Sequence, residues 1–273
     1  MPQLSAVTWG AAPLDAALAP LRERLGGTPR NGLHPGLLVR VAPPAALDGT
    51  APGWIPGEQL VDGTRVPELI YTARQRWLTE PHVAAALAWK AYTYWLALPA
   101  VASYAMARRV PLLRAEEVLV QLHDRQPFLS IGLRQPTVAV LPDDPLAASP
   151  SGVAVVPDEA ALLAALRSSL LDAHLDPVLE QIRARVHLGR RTLLGSVASG
   201  IAYGLVRALA GNPPESTVET TRTVLAALGL DRLVDLSPTL DGTGVRVWRR
   251  TCCLAFKLPE PKICSGCVLK LNP

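Results

Sequence analysis

Apolar residues recur at helical spacing through most of the second half of the chain. From about residue 157 to 229 the pattern predicts a series of amphipathic helices, because side chains three and four residues apart share one helix face. Asp158 and Glu159 mark the start of the first helix, Asp176-Pro177 that of the second, and Gly229 ends the last. The most regular spacing belongs to Leu193, Val197, Ile201, Leu205 and Leu209.

Three glycines interrupt that most regular helix: Gly195, Gly200 and Gly204. Glycine inside a helix costs about 1 kcal/mol relative to alanine, so we expect another part of the chain to approach the helix closely there. The neighbour is either a second helix or the cysteine-bearing segment at the C-terminus, and the sequence leaves both open.

The first half of the chain shows mixed patterns. Leucines between residues 14 and 25 predict a short amphipathic helix within 1–32 that ends at Gly26-Gly27. The segment 41–67 is rich in Pro, Gly and Asp and predicts a long surface loop. Between residues 110 and 141, short apolar runs separated by polar turns predict a three-stranded antiparallel meander.

The run from Val83 to Ala107 contains a single charged residue, Lys90. Its length would allow it to cross a membrane, which takes about 20 apolar residues. However, Lys90 lies near the middle of the run and Pro99 divides it. We therefore expect two alanine-rich helices buried in the fold and no membrane span.

Together these elements predict a predominantly helical α+β protein, with helical layers, a small antiparallel meander and a C-terminal cysteine-rich loop. The tract from Pro142 to Gly152 is the predicted domain boundary because of its Pro, Asp and Ser content. Residues 1–145 would hold the N-terminal helices and the meander. Residues 150–273 would form a helical region that ends in the cysteine motif at 241–273.

Composition and charge narrow the class of function. The 273 residues are 49 % hydrophobic and 18 % charged, as in folded proteins. A net charge of +4 without a long basic run gives no indication of nucleic-acid binding. The N-terminus lacks the features of an export signal, so the expected location is the cytoplasm, with at most a weak peripheral membrane association. Since no dinucleotide or Walker fingerprint occurs, electrons for any redox reaction would come from a partner.

All the cysteines of the chain lie in one sixteen-residue window, as Cys252, Cys253, Cys264 and Cys267. Thiols placed for packing or for disulfides would be spread more widely, so this grouping favours a soft metal centre. Three interpretations stay open: an iron–sulfur cluster, a tetrathiolate zinc site and a pair of disulfides. The adjacent pair Cys252-Cys253 lacks the spacer residues of a zinc knuckle. A two-iron cluster is wider than a single zinc ion and tolerates ligands that point apart. A reducing cytoplasm disfavours disulfides.

The stretch Trp248–Leu254 is followed by Cys264-Ser265-Gly266-Cys267, with ten residues between Cys253 and Cys264. This pattern resembles the C-terminal signature of FhuF-type ferric-siderophore reductases. The run His187–Ser199 is also similar to a helix of that family. The resemblance implies that the cysteines bind one 2Fe-2S cluster and that the protein reduces a ferric siderophore, of hydroxamate type, by one electron. An external donor such as a ferredoxin or a flavin reductase would supply that electron. The alternatives are an interaction protein fastened by structural zinc and a redox-sensing iron–sulfur protein.

Basic residues outnumber acidic ones around the cysteines. From residue 241 onward, Asp241 and Glu260 accompany six cations: Arg246, Arg249, Arg250, Lys257, Lys262 and Lys270. Cations beside an anionic cluster stabilise its reduced form, and they also attract an acidic donor. If the strand alternates, one of Arg249 and Arg250 points toward the cysteines and the other outward. Arg190 and Arg191 are further candidates for facing substrate or donor, whereas the histidines at 174 and 187 are expected to be structural.

Overall fold

The computed structural model describes residues 11–25, 40–41, 53–124 and 128–270. Its α-helices are α1 (Ala11–Leu25), α2 (Gly57–Val61), α3 (Val66–Trp77), α4 (Pro81–Ala107), α5 (Glu159–Leu166), α6 (Asp176–Arg183), α7 (Arg190–Ala208) and α8 (Pro214–Ala227). A π-helical segment, Arg167–Leu175, joins α5 to α6. The predominantly helical α+β class predicted from the sequence is confirmed.

The strands are short and form three small sheets. They are β1 (Arg40–Val41), β2 (Trp54–Pro56), β3 (Val110–Pro111), β4 (Val118–Leu122), β5 (Leu129–Leu133), β6 (Val138–Val140), β7 (Val153–Val155), β8 (Val234–Pro238) and β9 (Val245–Arg249). The strand orders are β1-β5-β4-β2, β3-β6-β7 and β8-β9. The hairpin β8–β9 leads directly into the cysteine segment.

The antiparallel meander predicted for residues 110–141 is wrong in its third strand. β4 and β5 pair antiparallel, with Val118 opposite Leu133. β6 belongs to a different sheet, where it pairs antiparallel with β3 and parallel with β7. Every residue of β6 is buried, which suits a central strand covered on both faces. The apolar pattern identified the strand, but it carries no information about which strand lies beside it.

The apolar run after residue 80 forms one helix, not the two that were predicted. α4 continues through Pro99, although proline removes a backbone donor from the helix interior. Buried side chains occur all around α4, so packing against the rest of the core holds the helix together across that point. None of the helices in the described ranges combines the length and the apolar character that crossing a membrane requires.

The long loop predicted for 41–67 is also wrong where the structure describes it. β2 pairs with β4, α2 follows at once, and α3 begins at Val66. Gly57 allows the turn between β2 and α2 to pack tightly, since a Cβ there would lie 2.6 Å from the backbone oxygen of Ala115. Residues 42–52, and the helix end predicted at Gly26-Gly27, lie outside the described residues. The predicted N-terminal helix is confirmed as α1.

α4 and α7 make the most extensive contact between two elements of the described fold. A Cβ at Gly200 of α7 would lie 3.5 Å from the Cα of Tyr94 on α4, and a Cβ at Gly204 would lie 3.0 Å from Leu98. The expectation of close helix packing is confirmed for these two glycines. Trp89 ties the same helices together, because its indole Nε1 donates to the backbone oxygen of Leu193 at 2.9 Å.

One hydrophobic core contains residues from both sides of the predicted domain boundary. Helices α1 and α4 precede that boundary, whereas α5 to α8 follow it, and all of them contribute buried side chains to this core. The helices predicted between residues 157 and 229 are confirmed. At their start the Asp158 side chain accepts a hydrogen bond from the Ala161 amide at 2.8 Å, as a helix N-cap does.

His174, in the π-helical segment, is fully buried and structural, as predicted. Its Nδ1 donates to the backbone oxygen of Leu113 at 2.7 Å, since a carbonyl can only accept. In the neutral ring Nε2 is then free to accept the hydroxyl proton of Tyr92. Burial lowers the pKa of His174 from 6.5 to about 4.

The buried histidine predicts a loss of stability in acid. The pKa of His174 is 6.5 in the unfolded chain and about 4 in the folded chain, so between these pH values His174 is protonated mainly in the unfolded chain. The free energy of unfolding should therefore fall by up to about 3 kcal/mol from this group between pH 7 and pH 4. In His174→Gln that fall should be smaller, as measured by urea denaturation across the pH range. The exposed His187, changed to Gln, serves as the control, and equal acid losses in both variants would contradict the assignment.

Candidate metal centre

The cysteine segment starts where the hairpin β8–β9 ends. The Arg249 amide, at the end of β9, donates to the backbone oxygen of Gly266 at 2.9 Å. The next amide, of Arg250, donates to Leu233 at 3.1 Å. The first of these bonds brings the turn that carries Cys264 and Cys267 alongside the residues that precede Cys252 and Cys253.

The backbone bends sharply after the adjacent cysteine pair. Leu254 has a φ of +62°, in the left-handed region, which costs a non-glycine residue about 1 kcal/mol. Its amide donates to the sulfur of Cys252 at 3.4 Å. Two adjacent cysteines on an extended strand would point to opposite faces, but β9 ends at Arg249, so Cys252 and Cys253 lie outside regular strand geometry.

The second cysteine pair is held in a compact turn. The Cys267 amide donates to the backbone oxygen of Cys264 at 3.3 Å. Between them, Gly266 lies so close to β9 that a Cβ would be 1.8 Å from the backbone oxygen of Val247 and 2.8 Å from the Tyr203 hydroxyl. The glycine of the C-S-G-C motif is therefore required by the close approach of this turn to β9 and α7.

The four thiols are free and lie in one place. The sulfurs of Cys253 and Cys264 are 3.5 Å apart, in contact but far beyond the roughly 2.05 Å of a disulfide bond. Cys252 interacts electrostatically with both Cys253 and Cys267. Cys253 and Cys267 are buried, whereas Cys252 and Cys264 are half-buried. The segment thus gathers all four sulfurs at a site with limited access to solvent.

The protonation of the thiols is strongly biased by their surroundings. The contact with the Cys264 sulfur lowers the pKa of Cys253 to about 5, and the nearby charges of Lys90 and Arg249 lower it as well. The same contact raises the pKa of Cys264. Burial raises the pKa of Cys252.

Two cations approach the sulfurs from different elements. The Lys90 ammonium of α4 donates to the sulfur of Cys264 at 3.7 Å. The Arg249 side chain is 1 % exposed, and its Nη2 donates to the Ser196 hydroxyl of α7 at 3.2 Å. Its Nε is buried and has no hydrogen-bond partner. Alternation along β9 thus places Arg249 inside the protein.

The other arginines proposed from the sequence lie at the surface. Arg250 is exposed and makes two hydrogen bonds to Asp235, at 2.6 and 2.8 Å. Arg190 is bound by Asp176 and Glu180. Arg191 is exposed at the start of α7. Their suggested role in facing substrate or donor stays a prediction.

Sequence reasoning missed Lys90 as a residue of this site. The chain offered a signal, because Lys90 is the single charge in the apolar run from Val83 to Ala107. A lone charge in a buried helix needs a polar or charged neighbour. The sequence could not reveal that the neighbour is Cys264, 174 positions further along the chain.

The residues present fit a group that is bound by thiolates. Four free thiols form the donor set, and the Nε of Arg249, three residues before Cys252, is buried without a hydrogen-bond partner. A compact single-ion site is not found, since no three His, Cys, Asp or Glu side chains of the described ranges are grouped to hold one metal ion. A structural zinc would need all four sulfurs about 2.3 Å from one point.

An apolar cluster covers one side of the cysteines. Val83 and Leu87 of α4 pack with Cys253, and Trp77 and Leu258 belong to the same cluster. A recess of about 200 Å³ opens beside it, lined by Arg76, Trp77, Leu78, Leu258, Pro259, Glu260 and Lys262. The recess therefore adjoins the cysteine centre, through the side chains that the two features share.

Gly195 allows the cysteine segment to pack closely against α7, because it has no side chain. A Cβ at this position would lie 1.9 Å from the Thr251 hydroxyl and 2.7 Å from the Thr251 Cβ, immediately before Cys252. The third glycine of the helix thus faces the cysteine segment, whereas Gly200 and Gly204 face α4.

Replacing these glycines should have opposite effects. Gly195→Ala forces Thr251 and the cysteine segment outward, so we expect the free energy of unfolding to fall by about 1–3 kcal/mol and the capacity for bound metal to fall with it. Gly200→Ala is the matched control, because its Cβ makes ordinary contacts at 3.5 Å and alanine gains about 1 kcal/mol in helix propensity. Urea denaturation and metal analysis of both proteins provide the measurement. Equal stability of the two variants would contradict the close packing of α7 on Thr251.

Comparison with known proteins assigns no family: no family model matches the chain, and no curated protein matches its sequence. The candidate centre is accordingly defined by its own residues, the four gathered thiols and the two cations beside them.

Proposed function

We propose that the protein binds one 2Fe-2S cluster through Cys252, Cys253, Cys264 and Cys267 and reduces a ferric siderophore by one electron. The observation that supports this most directly is the gathering of four free thiols, two of them in contact at 3.5 Å, near the protein surface. The resemblance of the cysteine motif to FhuF-type ferric-siderophore reductases supplies the class of reaction.

When bound, such a cluster supplies one-electron redox chemistry. The overall reaction takes one electron from a reduced donor protein, such as a ferredoxin or a flavin reductase, and gives it to the ferric ion of the siderophore. The oxygen ligands of a hydroxamate hold hard iron(III) more tightly than iron(II), so the reduction releases the metal. No bond of the siderophore has to be broken.

The chain contributes binding, shielding and charge to this reaction. The buried Cys253 and Cys267 would hold the group together with Cys252 and Cys264, which are half-buried and closer to solvent. The apolar cluster around Cys253 excludes water from one flank. The half-buried side of the cysteine site would stay accessible to a donor or an acceptor.

The surface of the cysteine segment suits the proposed partners. It exposes three apolar side chains, Phe256, Ile263 and Leu269, and three lysines, Lys257, Lys262 and Lys270. Exposed cations attract an acidic donor protein, and exposed apolar groups provide contact area once it is bound. We propose that donor and ferric siderophore both approach from this side.

Metal and sulfide analysis tests the ligand assignment. Anaerobically purified protein should contain two irons and two sulfides per chain, as a 2Fe-2S cluster does, with visible absorption bands that dithionite bleaches. Cys253→Ser should lose most of the iron, because one thiolate of a complete set is removed. Ser265→Ala, in the same loop, is the matched control and should keep the cluster.

A colourless protein that holds one zinc would instead support a structural site and overturn the reductase proposal. Normal iron and sulfide in Cys253→Ser would show that the adjacent pair does not act as ligands.

The reaction is tested with a chemically reduced protein and a ferric hydroxamate. We expect stoichiometric release of iron(II), trapped by an iron(II)-specific chelator, and simultaneous return of the visible bands of the oxidised protein. The gallium(III) hydroxamate, which has the same ligands but is not reduced, is the control and should leave the bands bleached. Failure of the ferric complex to restore the bands would contradict siderophore reduction, even if the cluster is present.

A further inference from the structure

Lys90 and Arg249 differ from Arg109 in the partners of their charges. The partly buried Arg109 is bound by Asp144, at 2.8 Å. For Lys90 and Arg249, by contrast, no carboxylate lies within ion-pair distance in the part of the chain that the structure describes. The polar partners of these two cations are the Cys264 sulfur and the Ser196 hydroxyl.

A buried cation without an anion is unfavourable, because the interior solvates charge poorly. Arg249 is among the largest fully buried side chains of the protein, and its Nε finds no acceptor. Arg249 precedes Cys252 by three residues, and its amide donates to the backbone oxygen of Gly266, between Cys264 and Cys267. Its positive charge favours the thiolate forms of Cys252, Cys253 and Cys264. Lys90, on α4, contacts the Cys264 sulfur, and its positive charge favours the thiolate forms of Cys253 and Cys264. Both cations are thus directed at one centre that becomes negative when it binds metal.

We infer that Lys90 and Arg249 are the counter-cations of the cysteine centre: they retain the bound metal group and raise its reduction potential. The inference rests on the proposed function in so far as it requires a thiolate-bound group at this site. A tetrathiolate 2Fe-2S group is a dianion that gains one more negative charge on reduction, so a nearby positive charge stabilises the reduced form more than the oxidised form. Neither residue exchanges electrons, and both act as positioning residues.

The two cations differ in how firmly they are held. Arg249 is fixed by its position at the end of β9, by complete burial and by Ser196 of α7. Lys90 is half-buried on α4 and contacts a sulfur directly. Lys90 can therefore be replaced with less damage to the fold, and it is the better residue for the test.

The test compares Lys90→Met with Lys90→Arg in the anaerobically purified protein. Lys90→Met removes the charge and keeps an unbranched apolar side chain, and Lys90→Arg keeps the charge. We expect the ratio of reduced to oxidised centre at a fixed potential to fall about tenfold in Lys90→Met, which corresponds to about 59 mV for one electron. Lys90→Arg should stay near the wild type. Arg246→Gln, which removes an exposed arginine of β9, should leave the potential unchanged.

Circular dichroism of each variant checks that it folds, and Lys90→Gln replaces Lys90→Met if the latter does not. Retention of the bound metal against a competing chelator is the second measurement. Lys90→Met should release its metal several-fold faster than Lys90→Arg.

The outcomes separate this inference from the proposed function. An intact iron–sulfur centre with the same potential and the same metal release in Lys90→Met and Lys90→Arg would overturn the inference and leave the proposed function standing. A colourless wild-type protein that holds zinc would overturn the proposed function and the reduction-potential part of the inference, and would leave the retention of the metal to be tested. The chelator measurement then decides the inference, since faster release from Lys90→Met supports it and equal release overturns it. A wild-type protein that binds neither metal would overturn both.

Discussion

The close packing of α7 is the constraint on which the rest of the structure depends. One side of this helix approaches α4 through Gly200 and Gly204, and its first half approaches the cysteine segment through Gly195. A side chain at Gly195 would collide with Thr251. Glycine weakens the helix by itself, so the stability of α7 comes from the neighbours that its glycines admit. The same packing fixes where the cysteine segment starts.

A second close approach fixes where that segment ends. Gly266 packs against the backbone of β9, and its carbonyl accepts the Arg249 amide. The two cysteine pairs are therefore held at the two ends of one loop whose ends are tied together. Lys90 of α4 and Ser196 of α7 contact this loop from the two helices that pack most extensively against each other in the described fold.

The cations inside the fold differ in the groups that balance their charge. Arg109 is balanced by a carboxylate, whereas Lys90 and Arg249 are balanced by sulfur and hydroxyl groups of weak basicity. Under the proposed function, a thiolate-bound metal group would place negative charge on the sulfurs and so compensate both cations.

The sequence by itself determined the helical class, the helices from residue 157 onward, and the grouping of the cysteines, because periodicity and spacing are local properties of the chain. It also determined that Arg249 and Arg250 face opposite ways, since alternation along a strand is local too. Only the tertiary structure decided that β6 leaves the predicted meander, that α4 continues through Pro99, and that Lys90 meets Cys264. These outcomes depend on residues that are far apart in sequence. A pattern of apolar and polar positions indicates which face of an element is buried, but it does not indicate which element packs against that face.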